Sequence, residues 1–330
     1  MTTVQPTAGS ARAHKIRDFA IRNAAVVVIL IVIAIFGFAN ENFFTTGNLL
    51  DILRSIVVSA LLALAVTFSL VVNGFDVSIG SVTSLSTIVA ASLMIDFRME
   101  TPVAILVPIL CGVAVGLVNG FLIVKLGLPD LLATLAMLFL VSGVQRTITA
   151  GKSVTATPES GVITPSFSFI GRGVVFGIPV PVILLAVVGV LAYLFLNKTT
   201  TGRYMYLVGG NEEAARHMGL PVGRLRVLAY VISGALAALG GIVLTARIGS
   251  GQIEAGAPLL MDAVAAAYVG YALFGQKKPS VVGTLVGAVL IGVLLNGLTM
   301  MKFPYYAQDI VKGGVFIMAL AFTFVRSKRQ

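Results

Sequence analysis

The sequence predicts an all-α, polytopic membrane protein with about ten transmembrane helices. Of its 330 residues, 58% are hydrophobic and only 11% are charged, and the mean hydropathy is +1.01. Soluble domains carry about 25% charged residues, so this composition excludes an ordinary soluble domain. Apolar segments close to the roughly 20 residues that cross a bilayer follow one another along the chain, with short polar connections between them.

The chain divides into a polar, basic tail over 1–23, a transmembrane domain over 24–326 and a short tail over 327–330. The first apolar run, 24–38, follows basic residues and is therefore also compatible with a secretory signal peptide. Gly37-Phe38-Ala39 is a poor cleavage site, and further apolar runs follow it. These features favour an uncleaved first helix.

Nine further apolar segments follow the first. The third segment is rich in serine and threonine and begins only four residues after the second ends, so it is either a spanning helix or a broken, partly re-entrant one. The predicted segments are 52–72, 77–95, 103–124, 131–148, 174–196, 227–247, 258–274, 281–300 and 310–325.

Basic residues predict the orientation. If the first tail is cytoplasmic and the spans alternate, about two thirds of the 23 Lys and Arg residues fall on the cytoplasmic side. Both termini and the polar segment 209–221 are then cytoplasmic, and the longest outside loop covers about 149–173. This distribution explains the net charge of +10 by topology, and we expect no nucleic-acid partner.

A weak internal repeat is visible five spans apart. Asn119-Gly120 precedes Lys125 as Asn296-Gly297 precedes Lys302, and Asp76 and Asp262 both lie near the start of a predicted span. A repeat unit of five spans must be inverted across the membrane, an arrangement common in transporters. The match is a handful of residues, so chance similarity is the alternative.

No constellation for catalysis, for a metal or for a cofactor is visible. The two histidines, His14 and His217, lie far apart without neighbouring ligand residues, and Cys111 is the single cysteine. Residues 150–153 read Ala-Gly-Lys-Ser, but a phosphate-binding loop needs glycine where Arg146 stands. We therefore expect no ATP hydrolysis by this chain and no cofactor.

Neutral hydrogen-bonding side chains recur inside the predicted spans, especially over 78–87. They suit a pathway for a neutral polyhydroxy solute, or they bond their own helix backbone and allow close helix packing. Asp76 is predicted to cap its helix N-terminus. These side chains belong to Thr67, Ser69, Asn73, Ser78, Ser81, Thr83, Ser84, Ser86, Thr87, Asn119, Thr134, Asn296 and Thr299.

The polar segment 209–221 predicts a short helix with defined ends. Asn211 is placed to cap it, Gly219 to take a left-handed conformation, and Pro221 to prevent continuation. About two turns are not stable alone in water, so the helix must rest on a surface. That surface is either a partner protein or the chain's own loops.

Four motifs in order resemble the permease subunits of bacterial ribose-type sugar ABC importers, over about residues 45–325. Residues 73–81 read Asn-Gly-Phe-Asp-Val-Ser-Ile-Gly-Ser, and residues 210–215 read Gly-Asn-Glu-Glu-Ala-Ala. The stretches 233–247 and 283–298 continue the similarity. Asn73 stands where a glycine is usual in the family, and Asp130 where a less polar residue is common. Branched-chain amino-acid permeases fit less well.

The resemblance implies a vitamin-B12-permease-like fold in the bacterial cytoplasmic (inner) membrane. It also implies separate ABC ATPase subunits, a second permease copy or paralogue, and a periplasmic or lipid-anchored solute-binding protein. The segment about 197–226 would be the ATPase-coupling segment, and the substrate a monosaccharide or similar polar solute. Candidate coupling residues are Gly210, Asn211, Glu212, Glu213, Ala214, Ala215, Met218 and Gly219. Candidate pathway or gating residues are Asn73, Phe75, Asp76, Ser78, Thr83, Asn119, Thr134 and Asn296.

Two competing functions stay open at this level. A stand-alone secondary carrier or facilitator would transport without an ATPase, although the predicted spans carry no acidic residue near the middle of the bilayer. A membrane-embedded enzyme would need a nucleophile, acid or metal-ligand cluster within the spans, which the sequence does not provide.

Overall fold

The helices follow the ten predicted segments closely. The computed structural model describes residues 24–273 and 278–327, and each predicted segment overlaps one long helix there. The tail 1–23 and residues 328–330 lie outside the described part. The long helices are α1 (Ala24–Ala39), α2 (Thr46–Val71), α3 (Ile79–Ile95), α4 (Thr101–Val124), α5 (Asp130–Thr149), α7 (Val180–Lys198), α10 (Val222–Ile248), α11 (Gly256–Leu273), α12 (Val281–Met300) and α13 (Tyr305–Ser327). The short ones are α6 (Pro165–Arg172), α8 (Thr200–Gly210) and α9 (Glu212–His217).

Six of the described helices are long and apolar enough to cross a membrane: α2, α4, α5, α7, α10 and α12. Helix α3 is equally apolar but has only 17 residues, nearly all of them buried. It is continuous, so of the two alternatives left open for this segment, a helix broken within it does not apply. The interruption lies just before it, at 72–78, where the backbone leaves the helical conformation.

The connection before α7 differs from the prediction. The segment expected to begin a span at 174 begins with a hairpin, in which β1 (Val174–Val175) pairs antiparallel with β2 (Ile178–Pro179). Phe176 and Gly177 both have positive φ, as a tight two-residue hairpin turn requires. The preceding loop is not irregular throughout, because it contains α6.

Helices α2 and α10 form the centre of the molecule. Helix α10 packs against α2, α3 and α4, and α2 packs against α11 and α12. Small residues permit the closest approach: Gly112 on α4 and Gly234 on α10 each leave no room for a Cβ because the other's carbonyl oxygen is too near. Backbones approach in this way between membrane helices that associate through small residues.

The helix contacts on the two halves correspond. Helix α3 packs on α4, α5 and α10, and five spans later α11 packs on α12, α13 and α2. Asn119 and Asn296 occupy similar places near the ends of α4 and α12. The aspartates of the sequence repeat do not correspond, since Asp76 precedes α3 whereas Asp262 lies within α11 and pairs with Lys312 at 3.0 Å.

Candidate functional site

The short polar helix α9 forms as the sequence predicts. The Asn211 Oδ1 atom accepts the Ala214 N–H at 2.9 Å, which caps the first turn. Gly219 has φ of +76°, and the Leu220 N–H bonds back to the Ala215 carbonyl at 3.1 Å to close the C-terminus. The predictions of an Asn211 cap and a left-handed Gly219 are confirmed.

Helix α9 has one face on the chain and one face open. Ala215 is fully buried in a cluster with Met205, Val208 and Leu225. Of the other two residues of the expected apolar stripe, Ala214 is exposed and Met218 is 60% exposed. Together with the exposed Glu213 and His217, these two form what we call the outer face of α9. The helix therefore rests on its own chain through Ala215 and leaves the outer face free.

Glu212 connects α9 to the transmembrane helices. Its carboxylate accepts hydrogen bonds from Arg216 at 2.6 Å and from Arg226, on α10, at 3.0 Å. Arg226 also donates to Asp130, the first residue of α5, at 2.6 Å, and the Tyr230 hydroxyl donates to the second oxygen of Asp130. We call Glu212, Arg226, Asp130 and Tyr230 the Arg226 network.

Asp76 occupies a fully buried position between three helices. One carboxylate oxygen accepts the backbone N–H and the hydroxyl of Ser78, at 3.0 and 2.6 Å, and the other accepts the Ser233 hydroxyl of α10 at 2.8 Å. The sequence predicted Asp76 as the N-cap of α3, and this prediction is wrong. Ser78 holds that position and makes no side-chain capping bond, because its hydroxyl donates to Asp76.

Two further polar side chains hold the segment around Asp76. The Thr134 hydroxyl, one turn beyond Asp130 on α5, donates to the Phe75 carbonyl at 3.1 Å and accepts the Val77 N–H at 3.3 Å. Asn119 on α4 donates to the Ser78 hydroxyl at 2.9 Å. The structure thus brings five predicted residues to one place, namely Phe75, Asp76, Ser78, Asn119 and Thr134.

The hydroxyl cluster over 78–87 is occupied by contacts within the chain. Ser81, Ser84 and Thr87 donate to carbonyls of their own helix. Thr83 and Ser86 donate to the Ala237 and Ala238 carbonyls of α10 at 3.0 and 2.6 Å. In this conformation the cluster joins α3 to α10, which agrees with the helix-packing interpretation.

Asn73 and Asn296 lie apart from the Asp76 cluster. Asn73 is exposed, has φ of +56° and borders a cavity of about 240 Å³ together with Tyr206, Tyr271 and Lys278. A positive φ is usually adopted by glycine or asparagine, which explains how asparagine fits where glycine is usual. Asn296 instead donates to Asn48 on α2 at 3.0 Å.

Sequence reasoning did not identify the part that α10 plays. Arg226, Tyr230 and Ser233 lie at spacings of four and three residues, so they share one face of α10. That face meets Asp130 and Asp76. A polar stripe at helical spacing in an apolar helix is the signal that could have found these residues.

Comparison with known proteins identifies the family. The model of the branched-chain amino acid transport system / permease component family matches residues 48–320. The chain belongs to this permease family. Within it, the chain is 35% identical to the ribose import permease protein of Haemophilus influenzae over 318 residues, 96% of this chain and 97% of the relative. Permeases are transport subunits, and the chain is an integral membrane protein.

Other relatives in the family carry sugar names as well. The ribose import permease protein of Escherichia coli K12 is 34% identical over 97% of this chain and 98% of its own length. The D-allose transport system permease protein of the same strain is 32% identical over 91% of each chain. No solved structure matches the chain.

Proposed function

We propose that the protein is the membrane-spanning permease subunit of an ATP-driven ABC importer for a monosaccharide or similar neutral polar solute. Relatives that match nearly its whole length are named as ribose and allose permeases, which supports the substrate class. The observation that carries the coupling to a separate ATPase is the open outer face of α9, on a helix whose opposite side is anchored by Ala215 and Glu212.

In this proposal all ten long helices cross the inner membrane, with both termini cytoplasmic. The corresponding contacts of α3 and α11 support a 5+5 inverted repeat and a vitamin-B12-permease-like arrangement. A second permease copy or paralogue completes the translocation unit, and a periplasmic or lipid-anchored binding protein delivers the solute. When the ATPase moves α9, the pathway switches between opening towards the binding protein and opening towards the cytoplasm.

Candidate pathway residues differ in their support. Asn73 borders the cavity beside α8 and is positioned to meet solute on the cytoplasmic side. Phe75 lies 6.4 Å from Tyr268 between ring centroids, in the same region. We propose that Asp76, Ser78, Asn119 and Thr134 hold the segment that gates the pathway, because protein partners bind the carboxylate, both hydroxyls and the Asn119 amide nitrogen. The buried Asn119 Oδ1 has no hydrogen-bond partner. Thr83 and Asn296 are proposed to hold helices together.

Co-purification from the native membrane tests the coupling proposal. The wild type is compared with a Glu213→Arg/Gly219→Pro variant, which reverses a charge on the outer face and blocks the left-handed turn. Glu41→Arg, an exposed acid in a turn remote from α9 in the sequence, is the matched charge-reversal control. We expect an ATP-binding subunit with wild type and with the control, but not with the α9 variant.

The other outcome favours the competing function. A wild-type permease that purifies alone under gentle conditions, and that carries sugar in proteoliposomes with only a solute gradient, is a stand-alone facilitator. In that case mutation of Glu213 or Gly219 leaves transport unchanged.

A further inference from the structure

The Arg226 network joins the short helix α9 to the segment 73–78. We propose that Glu212, Arg226, Asp130 and Tyr230 form a strut that transmits movement of α9 to the segment carrying Asp76, so that these four are positioning residues for transport. This inference rests on the proposed importer function and adds the route by which ATP hydrolysis reaches the pathway.

The first step of the route is the Arg226 fork. One guanidinium nitrogen binds Glu212 on α9 and another binds Asp130 at the start of α5, at 3.0 and 2.6 Å. The Arg226 and Asp130 side chains are only 16% and 17% exposed, so solvent screens the pair much less than a surface ion pair. A planar guanidinium that binds two carboxylates fixes their relative position better than a flexible ammonium group.

The second step passes from Asp130 to the segment 73–78. A Cβ on Gly74 would overlap the Tyr230 hydroxyl and an Asp130 carboxylate oxygen, so the backbone at 74 lies directly against that pair. One turn along α5, the Thr134 hydroxyl donates to the Phe75 carbonyl and accepts the Val77 N–H of the same segment. A shift of the first turn of α5 therefore moves this segment.

The third element is α10, which contacts the route at three points. Arg226 and Tyr230 bind Asp130, and Ser233, on the same face, binds Asp76. Because α10 is one continuous helix over this stretch, its contacts and those of Thr134 on α5 hold the segment from two sides. When Glu212 moves with α9, it displaces Arg226. This displacement changes the positions from which α5 and α10 hold the segment 73–78.

The Asp130 carboxylate completes the strut, because one oxygen binds Arg226 and the other accepts the Tyr230 hydroxyl. Without a carboxylate at 130, Arg226 loses its ion pair with α5 and Tyr230 loses its acceptor.

The test separates docking, hydrolysis and transport in the assembled transporter. Arg226→Met keeps much of the side-chain length and removes both ion pairs. The control is Lys125→Met, because Lys125 is an exposed basic residue at the end of α4, outside the coupling segment 197–226. Three quantities are measured in proteoliposomes with the ATPase and the binding protein: ATPase retained, ATP hydrolysed and radiolabelled ribose imported.

We expect Arg226→Met to retain the ATPase and its hydrolysis but to import roughly tenfold less ribose per ATP hydrolysed, as loss of an ordinary coupling free energy would give, while Lys125→Met matches wild type. Asp130→Asn should act in the same direction. The double variant Asp130→Asn/Arg226→Met should be no worse than Arg226→Met alone, because both changes break the same link.

Three results would overturn the strut. One is unchanged import per ATP in Arg226→Met. The second is a fall in import that only follows a loss of bound ATPase, which makes the network part of the docking surface. The third is failure of both Arg226→Met and the uncharged double variant to accumulate as folded protein, which makes it a folding element. If the wild type binds no ATPase, it is the importer function that fails, and the co-purification experiment detects that separately.

Discussion

Replacing Asp76 by alanine removes the acceptor of three buried hydrogen bonds. The Ser78 N–H then remains buried without a partner, at a cost of about 1–3 kcal/mol, whereas the Ser78 and Ser233 hydroxyls rotate to other acceptors and lose about 1 kcal/mol together. Removal of a buried carboxylate returns part of this energy. We therefore expect Asp76→Ala to be less stable by about 1–3 kcal/mol.

The isosteric variant Asp76→Asn separates shape from charge. Its amide oxygen still accepts both bonds from Ser78, and its amide nitrogen donates to the Ser233 hydroxyl, which can turn to accept. We expect a loss below about 1 kcal/mol, similar to that of Ser233→Ala, which removes a single bond.

Thermal unfolding in detergent, followed by size-exclusion chromatography after heating, measures the ranking of these variants. For a chain of this length we expect Asp76→Ala to unfold about 4–8 °C below wild type. Binding-protein-dependent uptake should fall with it, at an unchanged apparent affinity for sugar. A fully active and equally stable Asp76→Ala would refute the reasoning. An Asp76→Asn as unstable as Asp76→Ala would show that charge, and not hydrogen bonding, holds the segment.

Two other substitutions test the surroundings. Gly74→Ala should lower both stability and uptake, because its Cβ overlaps the Tyr230 hydroxyl. The control Gly143→Ala places its Cβ in open space and should be neutral or stabilising by up to about 1 kcal/mol. Thermal unfolding curves measure both changes. Burial raises the pKa of Tyr206, on α8 outside the spanning helices, to about 12, so its contribution to stability is present below pH 10 and is lost as pH rises towards 12. Tyr206→Phe should lose about 1 kcal/mol of stability at neutral pH, because it loses the hydrogen bond to the Pro279 carbonyl. Its melting temperature should also fall less than that of wild type between pH 10 and 12. An equal fall would show that ionisation of Tyr206 is not the cause.

The positions of the long helices could be predicted because bilayer length and apolar composition determine them locally. The cap of α9 was equally local, since Asn211 and Gly219 act on residues within four positions. The hairpin before α7 was missed because its valine and isoleucine residues are as apolar as a span. The pairing of β1 with β2 and the consecutive positive φ values at Phe176 and Gly177 separate it from the helix.

The site could be predicted in part. The motif around Asp76 pointed to the right segment, but the role expected for that carboxylate was local, a helix cap, whereas its second oxygen binds Ser233, 157 residues away. Likewise, Asp130 and Arg226 are 96 residues apart. Nothing in either local sequence indicates such a partner, because α3 and α4, which each pack on both α5 and α10, bring the two residues together.

The polar residues of this chain divide into two kinds by what holds them. The hydroxyls of α3 donate to carbonyls, so they join helices whose separation is fixed by small residues such as Gly112 and Gly234. The residues around Asp76 and Asp130 instead join side chains that come from different helices and end on α9. A transporter needs both kinds, since one part must stay rigid while another changes its position. The face of α10 that carries Arg226, Tyr230 and Ser233 binds both Asp130 and Asp76, so we expect a displacement of this face to act directly on the segment 73–78.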